Sequence, residues 1–178
     1  DDTFEFADGM GIDGSIDGGG GSNTVDYSAY TPVNPVTVDL GTGTAAGALN
    51  LVNIQNIIGG SGEDTLLGPR QDAIWNIAGV NEGDVAGVNF AGFENLTGAA
   101  DNEDGFVFYA GSRLDGTLDG GPGGLDSFAI ENPAIPGELV LIVPDGSGSG
   151  ALDFEDIYPG DLRTIIYSEM EPSFFIDN

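Results

Sequence analysis

The residues best suited to chemistry in this chain are aspartates, and they sit in glycine-rich turns. Gly59-Gly-Ser-Gly-Glu-Asp-Thr-Leu-Leu67 follows the nonapeptide G-G-x-G-x-D-x-U-x without a mismatch, U being a large apolar residue. Gly18-Gly-Gly-Gly-Ser-Asn-Thr-Val-Asp26 follows it with Asn23 in the Asp position. Gly120-Gly-Pro-Gly-Gly-Leu-Asp-Ser-Phe128 does so with one inserted residue, which puts Asp126 there. Glycine takes the left-handed dihedrals that turn backbone carbonyls inward. The Asp then adds a carboxylate oxygen, and such a set of oxygens suits a hard divalent cation, Ca2+ above all. Asn23, Asp64 and Asp126 are the first candidate ligands.

A second pattern overlaps the first. Asp13-x-Ser15-x-Asp17-Gly18 and Asp115-x-Thr117-x-Asp119-Gly120 have the form of the opening half of a D-x-[DNS]-x-D-G calcium loop, and Asp126 falls twelfth in the second copy. Asp13, Asp17, Asp115 and Asp119 join the candidates on that ground. Strand alternation explains the same letters: Ile12, Gly14 and Ile16 on one side, Asp13, Ser15 and Asp17 in water. No helix is expected on either flank, which excludes an EF-hand. Asp101 and Asp104, in Asp101-Asn-Glu-Asp104, are secondary candidates, with a solvated turn as the other reading.

The rest of the composition narrows the chemistry. Thirty Asp and Glu face three basic residues, Arg70, Arg113 and Arg163, for a formal net charge of −27, and the chain has no Lys, His or Cys. Such a surface repels phosphates and anionic headgroups, so neither nucleic acid nor membrane is expected as a partner. It attracts divalent cations. Zinc, haem and copper lose their usual ligands, and a serine nucleophile lacks its histidine. A carboxylate pair can hydrolyse a neutral glycan, but thirty acids place some pair close in any fold. No enzyme is expected. Trp75, Phe90, Phe93, Tyr109 and Phe128 are read as core residues, with a sugar-binding platform as the alternative.

The elements that position these turns are short strands. Residues 2–22 align without gaps on residues 104–124, with ten of the 21 positions identical, among them Phe4/Phe106, Asp13/Asp115 and Asp17/Asp119. The match continues from Val36–Leu40 to Leu139–Val143, from Ile54–Ile57 to Phe154–Ile157, and from Thr65–Leu67 to Thr164–Ile166. One domain over 1–178 is expected, holding about 1.75 copies of a repeat of about a hundred residues. The copies run over about 2–103 and, in part, 104–178, as a segment of a larger protein. Apolar or alternating runs at Thr3–Phe6, Thr24–Tyr27, Val36–Leu40, Leu49–Ile54, Asp64–Leu67, Ile74–Ala78 and Val85–Phe90 read as strands between Gly, Asp and Asn turns. No run of ten residues has helical periodicity free of Gly or Pro. The class is all-β: a parallel solenoid, because a repeated unit gains its core by stacking, or else an antiparallel β-sandwich.

The nonapeptides, with phrases such as Asn53-Ile-Gln-Asn-Ile-Ile-Gly-Gly-Ser-Gly-Glu-Asp-Thr-Leu-Leu-Gly68 and Phe93-Glu-Asn-Leu-Thr-Gly98, resemble RTX-type and haemagglutinin-like glycine-aspartate repeats of large secreted bacterial adhesins and exoproteins. The resemblance spans most of residues 2–130. It implies a right-handed parallel β-helix or β-roll, secretion or display at the cell surface, and Ca2+ in the turns. It departs from the family in that the nonapeptides are not in tandem. The expected role is a structural or adhesive module held by divalent cations and associating end to end with copies of itself. A glycan-binding module is the alternative, a polysaccharide-active β-helix the more distant one.

Overall fold

A computed structural model describes residues 1–131, 139–142, 150–153 and 164–170. These residues form an all-β structure of short strands, with no helix among them. The larger sheet has nine strands in the spatial order β1 (Thr3–Glu5), β3 (Thr24–Asp26), β7 (Asn56–Ile58), β11 (Val88–Ala91), β10 (Glu82–Val85), β9 (Ala73–Ile77), β13 (Asp104–Phe108), β15 (Ser127–Glu131), β16 (Leu139–Ile142). A seven-stranded sheet has the order β17 (Gly150–Asp153), β18 (Thr164–Ser168), β14 (Thr117–Asp119), β12 (Asn95–Thr97), β8 (Thr65–Leu67), β4 (Thr37–Asp39), β5 (Thr44–Ala45). Among the described residues β2 (Ser15–Asp17) and β6 (Asn50–Val52) pair with each other alone.

Half of the eighteen described strands are three residues long, and most of these carry one inward side chain at the centre. Thr-Val-Asp, Thr-Leu-Leu, Asn-Leu-Thr and Thr-Leu-Asp in β4, β8, β12 and β14 place Val38, Leu66, Leu96 and Leu118 in one fully buried row. Val25, Ile57 and Phe90 make the corresponding row in β3, β7 and β11, and both rows belong to one core. Burying each such side chain contributes about 1.5–3 kcal/mol, which offsets the chain entropy that so many turns cost. Trp75 stacks on Phe106 at 5.2 Å and meets Phe90 edge-on at 6.1 Å. Of the five aromatics in question, Trp75, Phe90, Phe93 and Phe128 are buried and Tyr109 is exposed.

Neighbouring strands are successive passes of the chain. Thr3 lies opposite Thr24, Thr24 opposite Asn56, and Asn56 opposite Asn89, all in parallel register. Thr37, Thr65 and Asn95 are aligned in the same way in the other sheet. Ten of the fifteen pairings among the described residues are parallel and five antiparallel, so the sheets are mixed.

The main irregularity is a meander. After β8 the chain runs into β9, returns antiparallel as β10, and turns again into β11, which pairs in parallel with β7. The run Val85–Phe90, expected as one strand, is therefore the end of β10, a two-residue turn, and the start of β11. The turn is Ala86-Gly87, both in left-handed backbone (φ 50° and 80°), which matches the twist of the flanking strands without an Asn-Gly pair. The repeat seen in sequence recurs in strand placement and in part in pairing: β1 with β3 and their counterparts β13 with β15 are both parallel. β14, the counterpart of β2, lies within the seven-stranded sheet, whereas β2 pairs only with β6 among the described residues. The matched segment Phe154–Ile157 lies outside the described residues.

Truncating the central row tests this packing. Leu96→Ala is expected to lower unfolding free energy by about 2–5 kcal/mol, measured by urea titration of the fluorescence of Trp75, the chain's one tryptophan.

Candidate functional site: the aspartate turns

The turn residues singled out by the nonapeptide are among the most buried polar groups described. Asn23, Asp64 and Asp126 are fully buried, and Asp104 nearly so. Their oxygens are directed at backbone N–H groups. The Asp64 Oδ1 accepts the Val36 N–H from the preceding pass at 2.7 Å, and its Oδ2 accepts the Gly60 N–H of its own turn. Asp104 repeats the arrangement, its two oxygens accepting the Ala73 N–H at 3.1 Å and the Ala99 N–H at 3.2 Å. The Asn23 Oδ1 accepts the Asp2 N–H at 2.9 Å, and its Nδ2 donates to the Asn53 carbonyl at 2.9 Å.

These contacts continue from pass to pass. The Asp104 N–H donates to the Asp126 Oδ1 at 2.8 Å, the Asp64 N–H to the Glu94 Oε2 at 2.8 Å, and the Asn23 N–H to the Gln55 Oε1 at 2.9 Å. Three side-chain ladders result: Asp126–Asp104–Ala73, Glu94–Asp64–Val36 and Gln55–Asn23–Asp2. Each places an acceptor where the chain enters a strand, at Asp2, Asn23, Val36, Asp64, Ala73 and Asp104, and the sheet ladder does not supply one.

The glycines of the motif make room for these acceptors. A Cβ on Gly59 would lie 2.8 Å from the Asp64 Oδ2, and one on Gly120 2.7 Å from the Asp126 Cβ. Gly18 stands in the same relation to Asn23, and Gly98 to Asp104. The spacing from glycine to acid in the nonapeptide thus fits a turn folded back over its own side chain.

The remaining candidates lie nearer the surface. Asp13 is exposed. The Asp17 Oδ1 accepts the Asn53 Nδ2 at 2.7 Å and the Gly19 N–H at 2.9 Å, and these bonds, that from Asn53 foremost, hold its carboxyl below the usual range. Asp115 pairs with Arg113 at 2.8 Å, which lowers its carboxyl likewise. The Asp119 Oδ1 accepts the Gly121 N–H at 3.0 Å. Asp101 is exposed in left-handed backbone. Burial pushes the Asp104 carboxyl up. Among the described residues no three acidic side chains converge as a set able to hold a metal ion.

Sequence reasoning missed Gln55 and Glu94 as ladder members. Their signal was present: Ile54-Gln-Asn-Ile57 and Phe93-Glu-Asn-Leu96 are the same phrase, an apolar residue, an acceptor, Asn, and a core residue. It also missed Asp8, which accepts the Thr31 N–H at 3.0 Å, the Thr31 Oγ1 at 2.9 Å and the Asn34 Nδ2 at 2.9 Å. These bonds, led by Asn34, hold its carboxyl below the ordinary range.

Comparison with protein-family models, curated proteins and solved structures finds no match to this chain. No helix among the described residues is long and apolar enough to cross a membrane.

Two outcomes are expected. Asp64→Ala strips the Val36 and Gly60 N–H groups of their acceptor and costs about 3 kcal/mol. Asp64→Asn keeps one acceptor and costs about half as much. Urea unfolding measures both, and equal losses in calcium and in EDTA mark the hydrogen bonds as the cause. At Asp8 the depressed carboxyl stabilises its loop above the unfolded value, and that contribution disappears as pH falls through the depressed one. The Thr31 amide resonance is expected to titrate with a midpoint below that of an ordinary aspartate, and Asp8→Asn to abolish the titration.

Proposed function

We propose that this chain is a non-catalytic structural module of a secreted or cell-surface protein, wound as a right-handed parallel β-solenoid. The observation that carries the reading is the joining of successive passes twice over. Parallel strand ladders join them along the faces, and side-chain ladders at the corners. A chain invested in such repeated joints gains stiffness along the stacking direction, which is what a spacer or adhesive stalk requires. The resemblance to glycine-aspartate repeats of bacterial adhesins supports the same class. End-to-end association with further copies or neighbouring repeats belongs to this reading.

Divalent cations, calcium first, stabilise the module on this reading by acting at its outer acids. Asp64 and Asp104 already accept two N–H groups each, whereas Asp13, Asp17, Asp101 and Asp115 are exposed. With a formal net charge of −27, self-repulsion opposes the folded state, and bound cations relieve it.

Thermal melting tests the cation component. Calcium at ten times its dissociation constant adds about 1.4 kcal/mol and raises the midpoint by about 3–6 °C, relative to EDTA with sodium chloride at matched ionic strength. An unchanged midpoint removes calcium from the reading. A compact sphere in small-angle scattering, in place of an elongated body, overturns the solenoid.

A further inference from the structure

Among the described residues no third strand continues the two-stranded sheet of β2 and β6, and a cavity of about 230 Å³ opens between β6, the end of β4 and the Ala86-Gly87 turn. Its deepest lining residues, Val38 and Ile57, are buried, while Leu51, Ile54 and Val88 are partly exposed along its sides. One acidic residue, Asp39, is among those that line it. The Thr42 N–H occupies the Asp39 Oδ1 at 2.9 Å, which leaves Oδ2 for a ligand. Arg70 makes no ion pair with it, the one among the described residues joining Arg113 to Asp115, although the Arg70 stem and the Asp39 Oδ1 both lie against Gly41.

The rim is fixed in advance. Asn53 stands in left-handed backbone (φ 56°), held by its Nδ2 donating to Asp17 at 2.7 Å and its carbonyl accepting from Asn23 at 2.9 Å. Opposite, Ala86 is held at φ 50° by the tight β10–β11 turn. A preformed apolar cavity with one convergent charge binds without a large ordering cost.

We propose that this cavity is a binding site for a small apolar molecule bearing a single ammonium group. The hydrocarbon body fills the space against Leu51, Ile54 and Val88, and the ammonium donates to Asp39. The field of the whole chain favours a cation at that mouth and disfavours an anion. The proposal is independent of the structural role above, since it rests on the lining of a cavity and not on the stiffness of the joints between passes.

The test uses three probes of one shape on the whole chain: cyclohexylmethylammonium, cyclohexylmethanol and cyclohexanecarboxylate. Binding is followed by methyl resonances in about 0.15 M salt, where charges beyond about 8 Å are screened. The ammonium is expected to shift the Leu51, Ile54, Ile57 and Val88 methyls saturably and to bind about tenfold tighter than the alcohol, with the carboxylate weakest. Asp39→Asn is expected to bring ammonium and alcohol within about twofold, and Ile54→Trp to abolish binding of all three. Equal affinity of ammonium and alcohol on the unsubstituted chain, a comparison that needs no variant, overturns the proposal. So do shifts that never saturate, or that survive Ile54→Trp.

Discussion

A parallel strand of three residues forms few ladder hydrogen bonds, and at each end the chain turns away and leaves N–H groups that no sheet partner reaches. With strands this short, the ends outnumber the middles. Unpaired donors buried at every corner would cost more than the apolar rows return. The structure answers by sending one side chain from each turn back to the preceding pass. Asp64, Asp104, Asp126, Asn23, Glu94 and Gln55 all do this. The inward rows of Val, Ile, Leu and Phe can be as regular as they are because the corners between them are satisfied.

This arrangement also sets how a very acidic chain keeps a dry interior. A buried carboxylate is tolerable when N–H dipoles converge on it, and Asp64 and Asp104 each collect two. The same corner geometry is served by uncharged amides at Asn23 and Gln55, so the acid is not a geometric necessity. The chain places acids both where N–H groups hold them and where water does.

The all-β class, most strand positions and the buried polar turn residues were legible in the sequence. A three-residue strand centred on one apolar residue leaves a clear trace, and so does a glycine placed so that a side chain can fold back over it. The chemistry of the turn was harder to read. Inward carbonyls with a carboxylate, and a carboxylate closing on N–H groups, need the same glycines and the same acid, so the letters G-G-x-G-x-D do not distinguish them. Gln55 and Glu94 escaped because acceptor identity varies where geometry does not. The Ala86-Gly87 turn escaped because alanine rarely takes left-handed backbone, and only the flanking strands impose it there. Pairing partners lay beyond local pattern: β2 and β14 share a sequence phrase yet occupy different sheets.

The meander of β9, β10 and β11 carries a consequence for assembly. In the nine-stranded sheet these strands stand in the reverse of their chain order between β7 and β13. A chain emerging from its N-terminus has made β9 before β11 exists, so the exposed edge of β7 must wait for a segment two strands further on. Growth by simple winding is interrupted at that point, and the sheet is completed by back-filling a slot. A duplication or deletion cut between Leu67 and Asn95 would remove the filler and leave two unmatched edges. The segment from β9 to β11 is therefore an indivisible centre of the nine-stranded sheet, which limits where this chain can be lengthened or shortened.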